Sequence, residues 1–314
     1  MTRKILITAP AYFDDSAMAV FQQLGEVTAQ ELTREELLQR IAEYDVLAIR
    51  VDTVIDQKIL DAAVRLKVIA TGTTGINHID LDYAKKKGVE VISLQGANTV
   101  ATAEHSLALL LSLARRIPAA QASLLSGKWQ RAAFIGTELY GKTLGIVGFG
   151  RIGRDIAELA QHFGLRIFAY DPYLPEKVFA DSKVTRITSM EQIFAEADII
   201  TLHVLLTEET KGLINKKLFS LMKPTALLIN CSRGEIISEP DLLRALEQKQ
   251  IAGAALDVFV TEPLPSTDPL IQYAQQNHNL VLTPHIAGST KEAVHQAGLF
   301  VATKTQEFFA GKKV

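Results

Sequence analysis

Seven residues of this chain have types and spacings that suit chemistry, and three of them are glycines. Gly148, Gly150 and Gly153 form G-x-G-x-x-G inside the stretch KTLGIVGFGRIGRDIAELAQHFG, which starts at Lys142. An apolar run precedes the glycines and a helical pattern follows, which is the setting a phosphate-binding turn requires. Gly148 permits the tight turn, Gly150 lets a pyrophosphate approach the backbone, and Gly153 lets helix and strand pack closely. The N–H groups of Arg151 and Ile152 then face phosphates at the positive end of a helix. Asp171 ends the next predicted strand, about twenty residues on, where a carboxylate accepts hydrogen bonds from ribose hydroxyls. The pattern predicts a dinucleotide site.

The other three are an arginine, a glutamate and a histidine, each just beyond a predicted strand. Arg233 follows TALLIN in CSRGE, Glu262 follows GAALDV in FVTEPLP, and His285 follows LVLTP in HIAGST. Ligands of doubly wound sheets bind at the carboxyl ends of the strands, so these groups share an edge with the glycine turn. Their types suit oxidation of a hydroxy acid. A guanidinium holds a carboxylate or polarises a carbonyl. An imidazole takes the hydroxyl proton while hydride leaves, and a glutamate beside it favours its protonated form. His203 lies after a strand and lines the cofactor side. His105 sits on an apolar helix, and His78, His162, His278 and His295 read as structural. No cluster has metal-ligand spacing, so no metal is expected, and no G-x-S-x-G elbow occurs.

These groups need two sheets to position them. KILITA, VLAIR, LKVIAT and VEVIS read as strands within the first hundred residues, with helical stretches TREELLQRIAEY and DLDYAKKKG between them. Thr33 and Glu36 form a capping box, and Gly88 is a helix stop. Thr99 to about Gly127 is helical, with a break at Pro118. TLGIVG, RIFAYD, DIITLHV, TALLIN, GAALDV and LVLTP then give six strands of a doubly wound sheet. The closing pattern, TKEAVHQAGLFVATKTQEFFAG, is apolar on more than one side and is expected to return to the first domain. The expected division is 1–98 plus 286–314 for one α/β domain and 99–285 for a Rossmann domain inserted into it.

At 314 residues the chain has room for two domains of roughly 100–200 residues each. Its net charge of −2 gives no reason to expect nucleic acid or an anionic membrane as partner. The single cysteine, Cys231, excludes an intrachain disulfide and suits the reducing cytoplasm. MTRKILITAP reads as a strand and not as a signal peptide. SLALLLSLA, from Ser106, is about half the roughly 20 residues a membrane span needs.

With these motifs in order, the sequence resembles the D-isomer-specific 2-hydroxyacid dehydrogenases. GVEVISLQGANTVATAEHSLALLL, GKWQRAAFIGTELYGKTLGIVGFGRIG, MKPTALLINCSRGEI, GAALDVFVTEPLP and LTPHIAGSTKEA carry the resemblance over nearly the whole chain. It implies catalytic roles for Arg233, Glu262 and His285, and a flavodoxin-like substrate domain around the Rossmann domain. It implies NAD contacts at Thr74, His203, Val204, Cys231, Asp257 and Gly288, with Asp257 on the nicotinamide amide. It also implies that N–H groups of TGTTGIN, at Thr73, Thr74 and Gly75, meet the substrate carboxylate, and that the chain forms a homodimer around the linking helix. Leu205 and Asn77 depart from the family pattern without touching the catalytic trio. Ending at Val314, the sequence reads as a short form without a regulatory domain. Within the family the pattern is most like the phosphoglycerate dehydrogenases, with Arg50 and Arg131 as candidate phosphate ligands, although Thr71 stands where some carry a further arginine. A glyoxylate or hydroxypyruvate reductase is the alternative. A formate dehydrogenase is disfavoured because Glu262 stands where that branch usually has glutamine. An NAD-sensing corepressor on the same scaffold is the alternative of another class, separated from an enzyme by NADH turnover.

Overall fold

The computed structural model describes residues 2–94, 96 and 98–312; Gln95 and Ala97 of the GVEVISLQGANTV motif therefore lie outside the described residues. The chain divides into two compact units, one of Met1–Asn98 with Ser289–Val314 and one of Thr99–Gly288.

The first unit holds five parallel strands: β1 (Arg3–Ile7), β2 (Gly25–Ala29), β3 (Val46–Ile49), β4 (Val68–Thr71) and β5 (Glu90–Ser93). Their order, β2-β1-β3-β4-β5, is the flavodoxin-like one. Alternate side chains of a strand feed the two faces. On β3, Leu47 and Ile49 join one apolar core while Val46 and Ala48 join the other. The helix Arg34–Arg40 starts on the expected capping box of Thr33 and Glu36. The long helix Lys291–Phe309 packs on the helix Asp15–Leu24 and on β4 and β5.

The second unit holds β6 (Thr143–Val147), β7 (Arg166–Tyr170), β8 (Thr185–Arg186), β9 (Ile199–Leu202), β10 (Leu227–Asn230), β11 (Gly253–Leu256) and β12 (Leu280–Leu282). All are parallel, in the order β12-β11-β10-β9-β6-β7-β8. The order reverses between β6 and β9, which makes this the switch point where a doubly wound sheet binds its ligand. The helix Thr99–Ala114 buries Leu107, Leu110 and Leu113 against one face of this sheet. It ends before Arg116, which is left-handed at φ 54°, and Pro118 lies in the first turn of the next helix, Ile117–Leu125. The break comes at this junction because proline fits the first turn of a helix and not its interior.

Two strands escape the sequence pattern. β2 is an edge strand paired only with β1 and is nowhere fully buried, so it carries no continuous apolar run. β8 is two residues long and pairs only with β7. Among the described residues, no helix is long and apolar enough to cross a membrane, and no group of side chains is arranged to hold a metal ion.

Candidate active site

The glycine turn closes where β6 and β9 run side by side. Gly148 is left-handed at φ 91°, and a Cβ there would lie 2.5 Å from the carbonyl oxygen of His203. A Cβ on Gly153 would lie 2.3 Å from the oxygen of Gly148. Glycine is therefore the residue that allows both approaches. Gly150 differs: a Cβ there would meet nothing within 4 Å. It precedes the helix Arg151–His162, whose first turn has no side-chain cap. That open cradle at a helix N-terminus fits a pyrophosphate. Asp171 accepts from the N–H groups of Phe149 at 3.0 Å and Tyr173 at 3.0 Å, one on each carboxylate oxygen. Each oxygen keeps acceptor capacity for a ribose hydroxyl. Enclosure drives the His203 imidazole down to about 3, so it is neutral. Its Nε2 pairs with Thr201 Oγ1 at 2.7 Å, while its buried Nδ1 has no hydrogen-bond partner. Val204 follows it, half-buried.

The catalytic candidates come from three adjacent strands, β10, β11 and β12. Arg233 stands on a loop wired by Asn230, a fully buried polar residue at the end of β10. The Asn230 amide donates to the Arg233 carbonyl at 2.9 Å, and its oxygen accepts from the Ser232 N–H and hydroxyl. Burial lowers the Arg233 pKa from its ordinary value, opposed by the charges of Glu235 and Glu262. Next to it, Gly234 lets the following loop come close, because a Cβ there would lie 1.9 Å from the carbonyl carbon of Phe259. Glu239 accepts the Val260 N–H at 2.8 Å and pins that loop from the other side.

Glu262 extends from the pinned loop and accepts from His285 Nδ1 at 2.6 Å and from the Phe259 N–H at 2.9 Å. Burial pushes its carboxyl up, but the bond and charge of His285, the Phe259 N–H and the Arg233 charge together hold it below the usual range. Glu262 is thus an anion at neutral pH and can only accept, so Nδ1 of His285 carries the proton between them. The side chains stay 26% and 29% exposed, which leaves the imidazole within reach of a substrate.

His285 is left-handed at φ 52°, a backbone conformation that a non-glycine residue keeps only when its surroundings enforce it. Asp257 does so. Its carbonyl accepts the His285 N–H at 2.8 Å. Its carboxylate accepts the Ile286 N–H at 2.9 Å, the Ala287 N–H at 2.8 Å and the Thr283 hydroxyl at 2.6 Å. His105 Nε2 approaches the same carboxylate at 3.3 Å and Thr283 Oγ1 at 3.2 Å. The Thr283 proton is already given to Asp257, so His105 is the donor from Nε2. Expected as a nicotinamide ligand, Asp257 is fully enclosed, and its hydrogen bonds serve the loop that carries His285. The braces His105, Thr283, Gly234 and Glu239 were not among the residues selected from sequence. His105, the one imidazole on an apolar helix, was the available signal.

Other expected residues are placed as follows. Cys231 is buried, and burial pushes its thiol up to about 12, so any cofactor contact there involves a neutral group. Gly288 follows the braced loop and is half-buried. In the first unit, Thr74 is exposed and donates to Asn98 at 3.0 Å. Thr73 is buried and donates to the Gly75 carbonyl at 2.9 Å. Arg50 follows β3, donates to the Gly72 carbonyl at 3.1 Å and lies 4.2 Å over the Tyr12 ring. Burial lowers its pKa from the ordinary value, and among the described residues no carboxylate is in ion-pair distance of it. Arg131 is exposed on the turn Arg131–Phe134.

Residues 107–287 match the family described as D-isomer specific 2-hydroxyacid dehydrogenase, NAD binding domain. This chain belongs to that family. A D-3-phosphoglycerate dehydrogenase of Methanocaldococcus jannaschii is 41% identical over 310 residues, 98% of this chain and 58% of that protein. One of Bacillus subtilis is 44% identical over 272 residues, 86% of this chain and 50% of that protein. The chain spans about half the length of the curated relatives it matches. Among solved structures, the TT0316 protein of Thermus thermophilus is similar with a TM-score of 0.87 and 33% identity, covering 99% of this chain and 98% of that one. The D-lactate dehydrogenase of Aquifex aeolicus complexed with NAD and lactic acid is similar with a TM-score of 0.85 and 27% identity, covering 98% and 96%. The glycine turn and Asp171 lie within the residues matched to that NAD binding domain.

The brace makes a prediction about stability. Burial, the largest influence on Asp257, raises its pKa, yet His105, Thr283 and the two N–H groups hold it below 3.8. A depressed folded value stabilises the fold above the unfolded value, and the gain is lost as pH falls through the folded one. In urea unfolding, Asp257→Asn is expected to be less stable than the natural chain at pH 7, by about 1.5–3 kcal/mol per charge-assisted bond lost. The gap should narrow as the pH falls toward 3. A gap constant across that range would mean that the carboxylate charge does not hold the loop.

Proposed function

We propose that the chain is an NAD-dependent oxidoreductase that interconverts a D-2-hydroxy acid and its 2-oxo acid. The observation that carries this reading is the 2.6 Å bond between His285 Nδ1 and Glu262, made beside Arg233 on the same sheet edge as the glycine turn. NAD, held by the glycine turn and Asp171, would supply the hydride acceptor and donor. The chain's own residues manage the proton and the charge. With Nδ1 committed to Glu262, Nε2 of His285 is the nitrogen that takes the hydroxyl proton in oxidation and returns it in reduction. Arg233 keeps its charge and its planar fork for the carboxylate or carbonyl of the substrate. The Thr99–Gly288 unit is read as the cofactor domain and the other unit as the substrate domain, contributing Thr73, Thr74 and Gly75 to the substrate carboxylate. NAD is preferred to NADP because Asp171 would repel a 2′-phosphate.

The lead substrate pair is D-3-phosphoglycerate and 3-phosphohydroxypyruvate. Arg50 supports it, as a half-buried cation with no carboxylate in ion-pair distance among the described residues, and so do the names of the curated relatives. The second reading, a glyoxylate or hydroxypyruvate reductase, is favoured by Thr71, an uncharged and fully buried residue near Arg50, and by Ala132 and Ala133, which place no charge beside Arg131. A homodimer is supported by the apolar side chains of Leu124, Leu125, Trp129 and Ile135, all more than half exposed after the linking helix. The single, buried Cys231 suits the reducing cytoplasm.

Two experiments test these readings. With NADH and a panel of 2-oxo acids, His285→Ala is expected to lower kcat by about 10²–10⁴-fold while NADH affinity changes little. Near-normal turnover would remove His285 from the chemistry, and NADH binding without turnover by the natural chain would favour a sensor. In the same panel, 3-phosphohydroxypyruvate is expected to exceed hydroxypyruvate in kcat/KM. Arg50→Ala should narrow that ratio by one to two powers of ten, since a charge-assisted bond contributes roughly 1.5–3 kcal/mol. A preference for hydroxypyruvate or glyoxylate would reject the phosphoglycerate reading and leave the 2-hydroxyacid reading intact.

A further inference from the structure

The loop TGTTGIN, which follows β4, contains a row of hydrogen bonds whose directions can be worked out. Thr73 Oγ1 lies 2.9 Å from the Gly75 carbonyl, 2.8 Å separates Thr71 Oγ1 from Thr73 Oγ1, and Thr71 Oγ1 lies 3.4 Å from His78 Nε2. A carbonyl only accepts, so Thr73 spends its one hydroxyl proton on Gly75. Thr71 must then be the donor to Thr73. Its proton is spent too, so it accepts from His78, and His78 Nε2 must carry a hydrogen. The chain runs one way, from imidazole to hydroxyl to hydroxyl to carbonyl. The neutral Nε2–H tautomer and the imidazolium both satisfy it.

Both ends of the row are anchored. The His78 carbonyl accepts the Ile55 N–H at 2.7 Å, and Ile55 in turn accepts from Asp80 at 2.9 Å. Thr71 is the last residue of β4 and is fully buried, and Thr73 is 6% exposed. The hydroxyls therefore have no water to fall back on, and a break anywhere leaves a buried polar group unpaired. At the far end, the bond to the Gly75 carbonyl fixes the peptide planes between Thr73 and Ile76. Among the described residues, the N–H groups of Thr74 and Gly75 donate to no protein acceptor, and Thr74 is exposed.

We propose that His78 is a positioning residue for substrate: through Thr71 and Thr73 it locks the loop so that the N–H groups of Thr74 and Gly75 are presented together to the carboxylate of a 2-oxo acid. The inference rests on the 2-hydroxyacid reading for the identity of the ligand, whereas the hydrogen-bond order does not. It gives His78, which reads as structural from sequence, a place in substrate recognition. Thr71, where some relatives carry an arginine, becomes a relay in place of a charge.

The test has two arms. In ¹⁵N spectra of the natural chain, His78 should be protonated at Nε2, and oxalate should shift the Thr74 and Gly75 amides. In His78→Leu and in Thr71→Val these amide shifts should weaken. In kinetics, each variant should raise KM for the 2-oxo acid about tenfold, with kcat and NADH affinity within about twofold of the natural chain, as expected for lost substrate binding. The double variant should be little worse than either single one, because both break the same chain. His78→Gln, which restores an N–H donor, and Thr71→Ser, which restores the hydroxyl, should recover most of the KM. An unprotonated Nε2, or a folded His78→Leu with unchanged oxalate shifts and KM, would overturn the proposal. A natural chain that turns over no 2-oxo acid would instead reject the 2-hydroxyacid reading, and the oxalate arm would still decide the role of His78.

Discussion

A single buried carboxylate sets the geometry of the sheet edge that carries Arg233, Glu262 and His285. Asp257 sits at the end of β11, where full enclosure would make an uncompensated charge prohibitive. The compensation comes from the loop after β12: the Thr283 hydroxyl and the N–H groups of Ile286 and Ala287 converge on it. Satisfying those bonds forces His285, between the donors, into a left-handed backbone at φ 52°. A histidine is strained there, and the strain aims its imidazole at Glu262. The bond between His285 and Glu262 is therefore a consequence of how one buried charge is satisfied. His105 extends the same dependence to the linking helix, so the packing of Thr99–Ala114 and the pose of His285 are coupled.

The second requirement is close approach between neighbouring loops. Glu262 can meet His285 only if the loop after β11 is held in place, and two contacts hold it. Gly234 admits the Phe259 backbone where any Cβ would collide, and Glu239 takes the Val260 N–H. The loop after β10 is thereby pressed against the loop after β11, so that Arg233 lowers the Glu262 pKa and helps keep it ionised. Guanidinium, carboxylate and imidazole are thus produced by three neighbouring strand ends, each loop fixed by bonds to the next.

Much of this was legible in the sequence because it depends on local pattern. Runs such as TALLIN and GAALDV are buried on both faces and read as strands without ambiguity, and the residues just beyond them are on one edge by the rule of parallel sheets. The glycine turn was legible because its spacing is dictated by covalent geometry. What stayed hidden depends on contacts between distant segments. The requirement for Gly234 is visible only once Phe259 is beside it. The brace on Asp257 needs donors from residues 283–287 and from His105, which lies far from both in chain order. The order of hydrogen bonds from His78 to Gly75 cannot be read from three ordinary residue types until their distances are known. β2 was hidden for another reason: an edge strand has no need of a continuous apolar run.

If the 2.6 Å bond makes His285 and Glu262 one unit, Glu262 contributes through His285 and not independently of it. A double-mutant cycle on kcat/KM measures this directly, using the natural chain, Glu262→Gln, His285→Ala and the double variant with NADH and the best 2-oxo acid. Glu262→Gln is expected to be costly in the natural background and nearly without effect once His285 is gone, because residues acting as a unit are strongly non-additive. Losses that simply multiply would contradict it.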